Sequence, residues 1–308
     1  LIAFQSFKGD RVTAATVRAF VMQFPEKLQD AVLCLLENTE MIEPRTVASL
    51  VVKHFKELRA QGVKRVAIVP IGNMTDSASH LLYELKHHPD PEIQAIGPTI
   101  APLQAATLKT SDHVIFFDDN VNSGHQVLNV FADWLGVELP EGVNLGEKHV
   151  DPLPAAAQDK LRTIPISLVF GVGPEGVEEI VSKLFKEYLT IDPSKVFMEV
   201  GKTLHANQRL LSGDEAPVDI PRRRELREFL DEVGRALMLD ERKSPEAAER
   251  RALGDSRAEG LVVFPYNTPT MTITALWCRG VFKNREWTPL IERRRNRRPD
   301  GELCGEDS

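Results

Sequence analysis

Cysteine is scarce in this chain. Only Cys34, Cys278 and Cys304 occur among 308 residues, odd in number and far apart. No CxxC or Cys/His spacing marks zinc, and no disulfide framework is visible, so a reducing, cytoplasmic setting is expected. Long apolar runs are missing too. None reaches the roughly 18 residues a membrane span needs, and no signal-peptide pattern is present, so no membrane partner is expected. Leu1 rather than methionine stands first, and trimming at that end is expected. Positive charge is in deficit, with 38 Lys and Arg against 45 Asp and Glu, a net charge of −7. That balance excludes broad, non-specific nucleic-acid binding. Local basic runs at 222–224 and 293–298 read as solvated faces or tails. Internal repeats and extended low-complexity segments are absent.

What remains is an ordinary globular composition, 42% hydrophobic, 27% charged and 6% aromatic. Three apolar stripes at helical spacing fall within residues 13–62: Val17, Phe20, Val21 and Phe24, then Leu28, Ala31, Val32, Leu35 and Leu36, then Val47, Leu50, Val51, Phe55 and Leu58. Pro44 suits a first helical position and Gly62 a stop. The period then changes. Short apolar runs at 66–69, 114–117 and 166–172 predict buried strands, with further candidates at 195–200 and 260–264. Helical patterns follow the first three, carrying Leu81, Leu82 and Leu85, then Val127, Val130, Phe131 and Leu135, then Val177, Ile180, Val181, Leu184 and Phe185. Strands alternating with helices predict an α/β fold with a mostly parallel sheet flanked by helices. The expected divisions are a helical region at 1–62, an α/β core at 63–202, a charged helical insertion or cap at 203–259, a strand and hood completing the core at 260–293, and a polar tail at 294–308. A Pro- and Gly-rich stretch, 138–160, reads as a long loop.

The chemistry concentrates at residues 114–126. The apolar run ends in Asp118 and Asp119, and a small polar loop, Asn120 to Gly124, leads into an amphipathic helix. In open α/β sheets ligands bind beyond the carboxyl ends of strands. Backbone N–H groups at a helix start attract anions. Paired carboxylates beside them suit sugar hydroxyls or a divalent cation. An isolated Asp pair is also a common polar strand end. Here the apolar strand before it and the glycine loop after it favour a sugar-phosphate holder. Gly124 permits close approach, Asn122, Ser123 and Gln126 add neutral donors, and His125 is a candidate for acid–base work or for donating to phosphate. A second strand-to-helix turn carries Gly72, Asn73, Met74 and Thr75, and Tyr266, Asn267 and Thr268 follow the strand at 260–264. Of the histidines, His80, His87 and His88 are expected to be solvated, while the sequence alone identifies no partner for His113, His149 or His205.

Residues 114–126 resemble the diphosphoribose-binding signature of type I phosphoribosyltransferases: an apolar strand, two acidic residues, two spacers, then a Thr/Ser–Thr/Ser–Gly-x-Thr loop. Asp118 and Asp119 match the acidic pair that in the family contacts ribose hydroxyls. Ser123 and Gly124 match the loop that holds the 5′-phosphate. Asn122 and Gln126 stand where hydroxyl residues are usual. Gly72, Asn73, Met74 and Thr75 resemble the pyrophosphate loop, and the flexible catalytic loop falls within 88–112, where Lys109 is the one cation past its start. Asn267-Thr268-Pro269, with Trp277 and Trp287-Thr288-Pro289-Leu290, is similar to a narrower subgroup. That subgroup comprises the phosphoribosyltransferase-like domains of bacterial conflict systems, including effectors encoded beside retrons.

The resemblance implies a ribose 5-phosphate or phosphoribosyl pyrophosphate ligand with Mg²⁺ carried by that ligand and reached by Asp118 or Asp119, rather than a metal held in a protein cage. It implies Asp118 and Asp119 as catalytic residues, Asn122, Ser123, Gly124, His125 and Gln126 around the 5′-phosphate, and Tyr266, Asn267 and Thr268 on the base or acceptor side. The implied activity is ribosyl transfer or N-glycosidic bond cleavage. The implied setting is an antiphage effector in a homo-oligomer or larger complex, partnered by a reverse transcriptase and an RNA–DNA hybrid. A ligand-binding or regulatory module without turnover stays open, as does an unrelated Mg²⁺-dependent phosphohydrolase, although the latter prefers an Asp-x-Asp spacing.

Overall fold

A computed structural model describes residues 12–71, 78–96, 102–144, 150–241 and 243–293. The first half runs α1 (Ala14–Val21), α2 (Gln29–Glu37), β1 (Glu40–Met41), α3 (Pro44–Ala60), β2 (Val66–Pro70), α4 (Ala78–Lys86), α5 (Pro91–Ile96), α6 (Ala105–Thr110), β3 (His113–Asn120) and α7 (His125–Leu135). The second runs α8 (Ala155–Thr163), β4 (Ile166–Pro174), α9 (Val177–Leu184), β5 (Val196–Leu204), α10 (Arg223–Asp240), α11 (Pro245–Arg251), β6 (Val262–Val263), β7 (Gly280–Phe282) and β8 (Arg285–Trp287). Two compact units result. One is contiguous, Glu43–Thr203; the other is assembled from Leu1–Ile42 and Leu204–Ser308.

The contiguous unit carries a four-stranded sheet in the order β2-β3-β4-β5. β2 pairs with β3 and β3 with β4, both parallel, as the strand–helix alternation requires. One face packs on α7, where Phe116 meets Phe131 and Trp134 at ring separations of 4.8 and 5.3 Å. The opposite face receives α3, whose N-terminal Pro44 has no amide N–H to leave unpaired there. Two strand glycines set how closely that helix lies. A Cβ on Gly171 would stand 2.6 Å from Val47 Cγ2, and one on Gly201 would stand 2.3 Å from Leu50 Cδ1. Both gaps are inside van der Waals contact, so glycine at these positions lets the α3 side chains rest close on the strand backbone.

The split unit buries the α1 and α2 stripes with those of α10 and the residues after β6. Phe20, Phe24 and Trp287 meet edge-on at 5.2–5.9 Å. Trp277 and Trp287 donate their indole N–H groups to the carbonyls of Thr272 and Ala275 at 2.8 and 2.9 Å, so neither ring buries an unmet donor. β1 pairs with β6 in parallel, and β7 with β8 as a hairpin. Glu259, 4% exposed, is held by Arg227 at 2.7 Å and the Ser212 hydroxyl at 2.8 Å.

Several expectations shift. Ala155, Ala156 and Ala157 after Pro154 begin α8 inside the stretch read as loop, because an alanine run outweighs the Pro/Gly content around it. The strand expected at 260–264 shortens to Val262–Val263. Ile180, placed in the apolar stripe of α9, is 45% exposed. Among the described residues no helix is long and apolar enough to cross a membrane.

Candidate functional site

β3 is paired with β2 only as far as Pro70↔Phe117, but with β4 through Asp118↔Phe170 and Asn120↔Val172. Asp118 and Asp119 are therefore strand residues, not the first residues beyond the strand as their polarity suggested. They sit at its carboxyl end, 5% and 1% exposed. Strand alternation places Asp118 with Phe116 on the α7 face and Asp119 with Phe117 on the α3 face. The pair straddles the sheet edge. Past the last β2 pairing, the Asp119 N–H is taken by Asp118 Oδ1 at 2.8 Å, and Asn120 Nδ2 donates to Asp119 Oδ1 at 2.5 Å.

The loop turns at once into α7. Gly124 adopts φ +78°, and a Cβ there would stand 2.7 Å from Val181 Cγ2 of α9. Positive φ and close approach both require glycine. The N-cap residue of α7 is Gly124, which has no side chain to cap it, and the first N–H groups of the helix have no intrahelical carbonyl. Asn122, Ser123 and His125 are half-buried and Gln126 is exposed. His125 Nδ1 lies 3.0 Å from Ser123 Oγ. Asn129 Nδ2 donates to the His125 carbonyl at 2.8 Å and to the Val143 carbonyl at 3.0 Å, which ties the first turn of α7 to the segment that follows it. Gly173 of β4 is fitted against the same loop, since a Cβ there would meet Val121 Cγ1 at 2.8 Å.

Gly72, Asn73, Met74 and Thr75 lie outside the described residues. The strand that leads to them leaves Pro70 beside Phe117, and the Ile71 N–H donates to the Phe117 carbonyl at 2.9 Å. Ile71, the last described residue of this stretch, thus bonds to the residue that precedes Asp118. Lys109 lies in the short helix α6. Tyr266, Asn267 and Thr268 belong to the split unit. There Phe264 and Asn267 bond each other's backbone at 2.8 and 3.2 Å, Asn267 Oδ1 accepts from the Thr268 N–H at 2.9 Å, and the Thr268 hydroxyl donates to the Ile291 carbonyl at 3.3 Å.

A second polar cluster escaped the sequence reading. Ser167 of β4, fully buried, has His54 Nε2 of α3 and His113 Nε2 of β3 each 2.7 Å from its hydroxyl oxygen. One hydroxyl can donate to one ring and accept from the other. Burial pushes both imidazoles down, His113 to about 4, with the neighbouring His54 adding to the shift there. Both rings are neutral at pH 7. Beyond His54 stand Glu57 and Glu199, bridged on their far side by Lys53, whose ammonium is held above its usual range by its hydrogen bond to Glu199. His-x-x-Glu on one helix face was the available signal. Ser167 and Glu199 carried none.

A family model described as PRTase-CE matches residues 17–293. Neither the curated proteins nor the solved structures yield a significant match.

Proposed function

Since the chain belongs to the PRTase-CE family and is phosphoribosyltransferase-like, we propose that it binds a ribose 5-phosphate or phosphoribosyl pyrophosphate ligand at the carboxyl end of β3. On this reading Asp118 and Asp119 accept hydrogen bonds from the ribose hydroxyls, one from each side of the strand end. The Gly124 turn and the first N–H groups of α7 receive the 5′-phosphate, with Asn122, Ser123, His125 and Gln126 around it. The turn at Gly72, Asn73, Met74 and Thr75 takes the pyrophosphate. The observation that carries the reading is the burial of two adjacent carboxylates at a strand end, immediately before a helix start whose N-cap is a glycine at positive φ.

Two carboxylates are hard oxygen donors of the kind Mg²⁺ takes, usually one or two per site with phosphates completing the shell. Asp118 and Asp119 fit that role, and the ion would supply charge neutralisation on the departing pyrophosphate. The protein's own contribution is to hold the sugar while positive charge develops at C1, and to keep oriented N–H groups on the phosphate. The products would be a transferred ribosyl group, or a cleaved N-glycosidic bond where water is the acceptor. The cellular role we propose is that of an antiphage effector acting with a reverse transcriptase and its RNA–DNA product. Co-purification of the chain with such a complex supports this role, and a chain that never associates with one refutes it.

Asn122 and Gln126 favour a second reading, a ligand-binding module without turnover, because two phosphate-facing hydroxyls of the family pattern are replaced. Calorimetry with phosphoribosyl pyrophosphate and Mg²⁺ tests the site. Binding lost in the Asp118→Asn, Asp119→Asn double variant is expected; a folded wild type that binds nothing overturns both readings. Pyrophosphate or free-base release by wild type then separates enzyme from module.

A further inference from the structure

We propose that His54, Glu57 and Glu199 form a binding site for a divalent transition ion of the zinc type, clamping α3 to β5 within the contiguous unit. One ligand atom from each of the three lies within 4.8 Å of the others. His54 is 5% exposed, and its Nδ1 has no hydrogen-bond partner. That atom is aimed at two carboxylate oxygens, Glu57 Oε2 at 3.6 Å and Glu199 Oε2 at 3.7 Å. Both gaps are too long for a hydrogen bond. They match another geometry better. Ligands bound at about 2.0–2.1 Å around a tetrahedral zinc ion stand about 3.3–3.4 Å from one another. The observed gaps need to close by only a few tenths of an ångström.

The surroundings are those of a ligand held for a metal. The other ring nitrogen, Nε2, is engaged by Ser167, which fixes the ring and leaves Nδ1 directed at the two glutamates. Phe197 stacks on the imidazole at 4.7 Å with an interplanar angle of 2°, which removes the remaining rotation. Lys53 occupies the outer oxygens, Glu199 Oε1 at 2.9 Å and Glu57 Oε1 at 3.8 Å, and leaves both inner oxygens facing the ring. It balances one carboxylate charge, so one negative unit still confronts a neutral imidazole. In the tautomer whose Nε2–H donates to Ser167, the Nδ1 lone pair faces that negative charge, an arrangement a cation relieves. The Glu57 side chain is 47% exposed, which gives the ion an entry path and a fourth, solvent-filled position. A nitrogen and two carboxylates suit zinc over the all-oxygen shells of Mg²⁺ and Ca²⁺.

The site is separate from the ribose site. Ser167 is the second residue of β4 and His113 the first of β3, whereas Asp118 and Asp119 end β3. Ser167 pairs with Ile115, three and four residues ahead of Asp118 and Asp119, which puts roughly 10–13 Å of strand between that hydroxyl and the carboxylate pair.

The test uses the full chain, stripped with chelator and titrated with zinc chloride by calorimetry. One equivalent is expected, with micromolar affinity or tighter. Glu57→Gln and Glu199→Gln are each expected to weaken it by about 10-fold or more, with far-UV dichroism confirming that the variants fold. Cobalt is expected to give the visible d–d band of a tetrahedral site with wild type, and to lose it in both variants. The Asp118→Asn, Asp119→Asn double variant is expected to keep the zinc. Absence of binding by folded wild type in excess zinc overturns the proposal. So does zinc binding that both glutamate variants retain at full strength, or that only the aspartate variant loses.

Discussion

Replacing Gly124 with alanine tests how the sugar-phosphate loop is built. Two separate costs attach to the change. Alanine at φ +78° pays the left-handed penalty, about 1–2 kcal/mol for a residue with a Cβ. The new methyl would also stand 2.7 Å from Val181 Cγ2, on a residue only 1% exposed, with Leu184 Cδ1 at 3.4 Å closing the other side. Overpacking at such a site costs about 1–3 kcal/mol. The sum is about 2–5 kcal/mol, read as a fall in the urea midpoint by far-UV dichroism. The two parts can be separated. Val181→Ala makes room for the methyl but leaves the backbone strain, so the double variant Gly124→Ala, Val181→Ala is expected to be more stable than the two single costs added together imply. The coupling should be about 1–3 kcal/mol. A Gly124→Ala protein within about 0.5 kcal/mol of wild type would show that the loop relaxes freely, and the case for a rigid phosphate turn would fail. A cycle with no coupling would show that α9 does not buttress the turn.

Other outcomes follow from buried groups. His113 is held at about 4 when folded, against about 6.5 in an unfolded chain. The unfolded state therefore binds the extra proton as pH falls from 6.5 to 4, and folding loses roughly 3 kcal/mol over that window. His54 shifts in the same direction. Denaturant midpoints measured across that range should fall less steeply for His113→Gln than for wild type; equal slopes refute the assignment. In the split unit, a Cβ on Gly234 would stand 2.0 Å from the Ala252 carbonyl oxygen. Gly234→Ala should force α10 away from that backbone and cost about 3 kcal/mol or more, seen as an early loss of helical signal on heating; an unchanged melt refutes the close crossing.

The sheet was legible where its residues are locally consistent. The strand signals at 66–69, 114–117 and 166–172 became β2, β3 and β4, because apolar runs of that length are what a sheet covered on both faces needs. β3 ran further than its hydrophobicity. Asp118 and Asp119 look like terminators by propensity, yet β4 continues beside them and pairs with Asp118 and Asn120. β6 was overread because Gly260 bridges Thr272 rather than extending the strand. The loop motif at Asn122 to Gln126 could be read because it is contiguous. The His54, Ser167, His113 and Glu199 cluster could not, since each residue sits alone on a different element and acquires meaning only through the fold. Gly171 and Gly201, which bring α3 onto the strands, carry no periodic signal.

The parallel pairing of Glu40 and Met41 with Val262 and Val263 has a consequence for biosynthesis. About 220 residues separate the partners, and a ribosome adding roughly 5–20 residues per second needs on the order of 10–45 s to deliver the second after the first. The intervening Glu43–Thr203 unit is contiguous and can mature during that interval. The apolar faces of α1 and α2, covered until then only by each other, must wait for α10 and the residues after β6, in the last third of the polypeptide. Nascent chains stalled before residue 262 are therefore expected to be the species on which chaperones linger.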